Sequence, residues 1–113
     1  MSGFDVNRSQ VSDEALATFL KAEVEEDITT VPGVGPSAAG KLADNSEGEA
    51  GVKTTYQLIG KFLSLRDPDM ASQTHCDAMF NWLKLKGVNA HRSGIVHAIA
   101  EKTDTMMPGI YNL

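Results

Sequence analysis

The sequence predicts a small all-α protein, a bundle of about five or six helices. Apolar residues recur at spacings of three and four through most of the 113 residues. Polar segments, or segments that contain glycine and proline, separate these stretches and are typical of helix ends. The chain has no pair of alternating polar and apolar runs that would indicate a β-hairpin. Its length suits one domain with one modest core.

The first helix is expected to follow an N-terminal arm of residues 1–10, and the helical domain is expected over residues 11–103. Ser12 or Asp13 can cap this helix, because a short polar side chain accepts hydrogen bonds from the free N–H groups of a helix start. The apolar face of the helix would carry Leu16, Phe19, Leu20 and Val24.

A helical hairpin is expected next, over residues 27–44, with a tight turn in its middle. Pro32 ends the first short helix because it has no N–H group to donate. Gly33 and Gly35 permit backbone angles that other residues resist. Pro36 suits the first turn of the second helix.

This segment resembles the helix-hairpin-helix motif, h-x-x-h-P-G-h-G-x-x-x-A-x-x-L, from Ile28 to Leu42. The resemblance implies that the Gly-x-Gly amides bind a phosphate of duplex DNA without reading bases. The physical basis is that free N–H groups and the helix dipole attract an anion at a helix start.

The same residues nearly match a P-loop, G-x-x-x-x-G-K-[ST], from Gly35 onward. Leu42 stands where that motif needs a hydroxyl for magnesium, and the preceding residues end a helix instead of a buried strand. Both departures argue against a nucleotide-binding loop.

Three further helices are predicted after a polar loop over residues 45–51. The first, over residues 53–65, has an apolar face of Tyr56, Ile59, Phe62 and Leu63. The second, over residues 75–86, carries Met79, Phe80, Trp82 and Leu83, and Gly87 is placed to end it. The third, over residues 90–103, would be capped by Asn89, and residues 104–113 form a tail that packs or docks.

With these elements in order, the chain resembles the barrier-to-autointegration factor family. The likeness rests on Val31–Leu42, on Tyr56–Leu65 (like Y-V-V-L-G-Q-F-L-V-L), and on Phe80–Ser93 (like F-R-E-W-L-K, then G-A-N-A and a serine). It implies a non-catalytic homodimer that bridges two DNA duplexes without sequence preference. It also implies a groove for LEM-domain proteins of the inner nuclear membrane, and an intracellular location in the nucleus, the cytoplasm or both.

The resemblance assigns phosphate binding to the hairpin turn, to a lysine of the second hairpin helix and to the start of the last helix. The candidate residues are Gly33, Val34, Gly35, Ser37, Lys41, Asn89, Ala90, His91 and Arg92. His91 stands where the family has a lysine, and Gly94 stands where it has an arginine, so part of the family's phosphate-binding charge is missing.

The charge distribution supports a different function. Residues 1–50 carry ten acidic against three basic side chains, although the hairpin lies in this half. Cationic side chains supply much of the affinity for nucleic acid. The second hypothesis is therefore a structural or adaptor subunit that reuses the scaffold for protein contacts, with DNA binding weakened or lost.

Other kinds of site have little support in the sequence. No acid–base pair, metal-ligand spacing or cofactor motif is evident, so neither catalysis nor a cofactor nor a metal is expected. His75, His91 and His97 do not have the spacing of a metal site. One cysteine, Cys76, allows no internal disulfide and suits a reducing compartment. No run of apolar residues is long enough to insert into a membrane.

Overall fold

The computed structural model describes residues 3–44 and 50–113. Over these residues the chain forms five α-helices and two 3₁₀ turns, with one isolated β-bridge between Asp27 and Thr54 and no β-strand. The 3₁₀ turns are Val6–Arg8 and Ile28–Thr30, and the helices are α1 (Asp13–Lys21), α2 (Pro36–Ala43), α3 (Thr55–Ser64), α4 (Ser72–Leu85) and α5 (Arg92–Met106). The prediction of an all-α bundle is confirmed.

Helix α5 lies at the centre of the bundle, where it contacts α1, α3, α4 and the first 3₁₀ turn. Its buried residues include Ile95, Val96, Ala98, Ile99 and Ala100, which point in different directions around the helix axis. A helix that is apolar nearly all round must be enclosed by its neighbours. None of the described helices is both long enough and apolar enough to span a membrane.

Several helix ends match the sequence prediction. The Ser12 hydroxyl accepts a hydrogen bond from the Ala15 amide at 3.1 Å at the start of α1. Gly87 has φ +88 at the end of α4, where its amide bonds to the Lys84 carbonyl and the Val88 amide bonds to the Leu83 carbonyl. This pair of bonds is a Schellman motif, which requires a left-handed residue and favours glycine.

The start of the last helix differs from the prediction. Asn89 is not its cap, because α5 begins at Arg92 and His91 holds the cap position with φ 60 and no side-chain hydrogen bond. The hydrogen bonds of the Schellman motif at the end of α4 extend to Val88. The chain then turns again at His91, where the backbone is left-handed, before the helix begins. The helix also continues to Met106, past the boundary expected at 103.

The apolar face of α3 also differs from the prediction. Tyr56 is 55% exposed, and its hydroxyl donates to the Val24 carbonyl at 2.9 Å. Leu58 is fully buried instead, beside Ile59 and Phe62. Tyr56 therefore fastens the segment after α1 to α3 from outside the core.

A buried lysine holds α1 in place. Lys102 of α5 is 4% exposed, and its ammonium group donates to the carbonyls of Phe19 (2.9 Å), Leu20 (3.2 Å) and Ala22. These carbonyls belong to the last turn of α1 and to its cap residue Ala22, where a positive charge complements the helix dipole. Burial lowers the pKa of Lys102.

The N-terminal arm and the C-terminal tail pack against the same part of the bundle. The Phe4 amide donates to the Asp77 carboxylate at 2.9 Å, and the Phe4 ring meets the edge of Tyr111 with centroids 6.5 Å apart. Ile110 is also buried. Of the loop expected over residues 45–51, residues 45–49 lie outside the described part of the chain.

Candidate phosphate-binding site

The hairpin turn is built around a glycine that no other residue can replace without strain. Gly33 has φ +92, and a Cβ atom there would lie 2.9 Å from Cγ1 of Ile95 and 3.3 Å from Cβ of His91. Both the backbone angle and the close approach to α5 therefore require glycine. Val31 and Val34 on either side are 1% and 4% exposed, so they anchor the turn in the core.

Gly35, two residues on, has a different environment. It caps α2 with φ −97 and ψ −174, and no atom lies within 4 Å of where a Cβ would stand. The fold tolerates a side chain here, whereas the glycine leaves open space for a ligand to approach the backbone. Within the described residues, the amides of Gly35 and Ser37 donate no hydrogen bond.

The turn, α2 and the loop between α4 and α5 meet around a cavity of about 280 Å³. Most of the predicted phosphate-binding residues line it: Gly33, Gly35, Ser37, Lys41, Asn89, Ala90 and His91. These residues are separated by some 50 positions in the chain, and the packing of the turn on α5 brings them together. We call this surface the Lys41 face.

Lys41 supplies the positive charge of this face. A Cβ atom added to Gly87 would lie 3.3 Å from Cδ and 3.6 Å from Nζ of Lys41, so the lysine side chain extends along the α4–α5 loop. Lys41 is exposed and makes no ion pair with another described residue. Its ammonium group is available to a ligand in the cavity.

The two remaining predicted residues lie differently. Val34 buries its side chain, so only its backbone can contribute. Arg92 directs Nη1 to the Val88 carbonyl at 2.9 Å and stacks its guanidinium 5.0 Å from the Phe80 ring. It braces the loop before α5 and lines a separate cavity of about 530 Å³ with Arg8.

Comparisons with protein-family models, curated proteins and solved structures found no match to this chain.

A second surface beside the turn carries negative charge. A groove of about 830 Å³ separates α1 from the turn, and Gly33, Val34 and Gly35 form part of its wall. Its lining also includes the acidic residues Glu14, Glu23 and Glu25, all exposed and none in an ion pair with another described residue. We call this surface the acidic groove.

Sequence reasoning found only part of this acidic surface. The sequence shows an excess of acidic residues over residues 1–50, but one of them, the exposed Asp27, is occupied locally: its carboxylate accepts from the Thr29 amide (2.9 Å) and hydroxyl (2.7 Å). These bonds lower the pKa of Asp27. The groove instead receives Glu14 from α1 and Glu23 from the segment that follows it, whose position against the hairpin the sequence does not reveal.

The other reactive residue types have structural roles. The Nε2–H group of His75 donates to the Phe62 carbonyl at 2.6 Å while its ring stacks on Phe62, and burial lowers the pKa of His75. Burial raises the pKa of Cys76 to about 12, so its thiol stays protonated. No group of three potential metal ligands occurs among the described residues.

Proposed function

We propose that the Lys41 face binds backbone phosphates of double-stranded DNA, without reading bases, in the manner implied by the resemblance to barrier-to-autointegration factor. The observation that carries the proposal is the meeting of the open Gly35 and Ser37 amides with Lys41 around one cavity. Amides at a helix start attract an anion through their N–H groups and the helix dipole.

The chemistry of the face favours a phosphate over a base edge. Backbone amides and a lysine ammonium donate hydrogen bonds and carry positive charge, which suits phosphate oxygens. In the sequence around the turn, Pro32, Gly33 and Gly35 offer no side chain that could read a base. The contact proposed for the turn and for Lys41 therefore recognises the DNA backbone irrespective of sequence.

The proposal includes a homodimer, because one Lys41 face holds one duplex and two faces are needed to bridge two duplexes. Light scattering should then give twice the mass of one chain, and a stable monomer would contradict the bridging part. DNA binding by a monomer would leave the phosphate site itself intact.

The test is fluorescence anisotropy with a labelled duplex of mixed sequence, at low and at moderate salt. We expect a dissociation constant in roughly the micromolar range, as is typical of non-specific DNA contacts, and we expect it to rise with salt. Gly35→Glu should weaken it at least about tenfold, because a carboxylate then occupies the phosphate position. Gly60→Glu is the matched control: Gly60 is also open, with no atom within 4 Å of a Cβ, and lines none of these surfaces.

Absence of binding at low salt would contradict the proposal. An equal loss in Gly35→Glu and Gly60→Glu would also contradict it, because net charge rather than the turn would then explain the effect.

A second candidate function is that of an adaptor subunit that binds another protein. The observation that favours it is the acidic groove, which places three carboxylates beside the same glycines. If this function is correct, the protein isolated from its own cells will run in an assembly heavier than its dimer, and nuclease treatment will not change the mass of that assembly.

A further inference from the structure

The floor of the acidic groove is apolar and open. The apolar surface that solvent reaches comes from the exposed Ala15 of α1 and Ala22 at its end, and from the half-buried Pro32 of the hairpin. Phe19 and Val31 also line the groove, but their side chains are buried. The alanines are too small to fill the space between α1 and the turn. An elongated apolar group can therefore lie along the floor and remove this surface from water.

The rim of the groove has one sign of charge. Among the described residues, Glu14, Glu23 and Glu25 line it and no lysine or arginine does, and His91 is the only one of these lining residues that can become cationic. A cleft lined by one sign of charge concentrates counter-charged ligands. A polyanion is disfavoured at this surface, even though it shares the turn with the Lys41 face.

We infer that the acidic groove binds a lysine- or arginine-rich peptide segment of a partner protein. The long aliphatic stems of such side chains can lie on the apolar floor while their charged ends reach the carboxylates of the rim. The negative charge of the rim favours a basic peptide over nucleic acid. The apolar floor favours a peptide over a simple cation. The inference deepens the adaptor proposal and does not depend on DNA binding.

The probe is a short fluorescein-labelled peptide of alternating lysine and leucine, titrated with the full chain. Two companion peptides separate the contributions: in one, serine replaces lysine, and in the other, serine replaces leucine. Saturable binding of the first peptide, with clearly weaker binding of both others, is expected. Equal binding of the serine–leucine peptide would overturn the inference, since charge would then play no part.

Paired variants locate the binding site. Glu23→Gln combined with Glu25→Gln should weaken the lysine–leucine peptide about fivefold, since exposed ion pairs contribute little individually. Asp67→Asn combined with Asp69→Asn makes the same change in net charge in the α3–α4 turn, outside the groove, and should have less than half this effect.

A neutral change tests the shape of the groove. Ala15→Phe should weaken peptide binding by a similar factor, because the ring fills the floor without altering charge. Ala15 is exposed, so the fold should persist, as circular dichroism can verify. Unchanged peptide affinity in both Ala15→Phe and the Glu23/Glu25 variant would overturn the inference. The adaptor proposal would fail separately, if the protein showed no nuclease-resistant assembly in its own cells.

Discussion

The Lys41 face and the acidic groove share one turn but present opposite chemistry. The Lys41 face combines open amides with a lysine, whereas the groove combines an apolar floor with the carboxylates of Glu14, Glu23 and Glu25. Gly33 and Gly35 border both surfaces. The turn proposed to bind phosphate therefore lies within a few residues of a surface of negative charge, which disfavours an anion.

The two glycines of the turn should respond very differently to alanine. Gly33→Ala should reduce the free energy of unfolding by about 2 to 4 kcal/mol, because it combines a left-handed backbone angle with a contact of 2.9 Å. Gly35→Ala should change it by less than about 1 kcal/mol, since its angles and surroundings suit any residue. Urea unfolding measures both. Equal losses would contradict the described geometry of the turn.

Lys102→Met should affect the acidic groove more than the Lys41 face. The substitution leaves the carbonyls at the end of α1 without their buried donor, which should cost about 2 to 3 kcal/mol. Because α1 is one wall of the groove, hydrogen exchange should accelerate in α1 before it does in α2. Equal acceleration in α1 and α2 would show that the two surfaces are not separately supported.

Burial of His75 should make the free energy of unfolding depend on pH. Since the pKa of His75 is lowered in the folded protein, above pH 6.5 both states are neutral at this residue and its effect on stability is absent. Below pH 6.5 the unfolded state binds a proton at this residue that the folded state does not. The free energy of unfolding therefore decreases as the pH is lowered, by up to about 1.4 kcal/mol per pH unit.

The control for this prediction is a pair of variants followed by thermal unfolding at pH 5 and pH 7. His75→Gln should reduce the pH dependence of stability, whereas His91→Asn, at the exposed turn position, should leave it unchanged. A pH dependence that survives His75→Gln would assign the effect to other groups.

Neutralising the two surfaces should shift DNA affinity in opposite directions. Lys41→Gln should weaken binding and reduce the slope of log affinity against log salt by about one. Glu23→Gln combined with Glu25→Gln should strengthen binding, by roughly threefold at low salt, because repulsion is removed without adding a contact. Anisotropy titrations over a salt series measure both. Unchanged affinity in the glutamate variant would indicate that DNA does not approach this side of the molecule, and a loss would contradict the expected repulsion.

Local signals in the sequence were sufficient for most of the helices. Ser12, Gly87 and the glycine-proline turn act within a few residues of themselves, so their roles are visible without a structure. The predicted start of α5, by contrast, was wrong. The Schellman motif at Gly87 and Val88 is followed by a loop, so that the helix begins at Arg92 and not directly after the capping signal at Asn89.

The candidate site was predictable only in its backbone. The glycines and Lys41 belong to one sequence motif. The resemblance assigned Asn89, Ala90 and His91 to the same site, and all three line the same cavity. Nothing local indicated that the Arg92 guanidinium would turn back onto Val88, or that Lys102 would bind the carbonyls at the end of α1. Both depend on contacts between distant parts of the chain, which periodicity and caps do not encode.

The most direct test of phosphate binding at the Lys41 face is an amide NMR titration with a short mixed-sequence duplex at low salt. The amide signals of Gly33, Gly35 and Ser37 should shift first and saturate together, while those of Glu14 in α1 and Glu23 just after it move little. Shifts confined to α1, or an unchanged spectrum at saturating DNA, would contradict the proposed site.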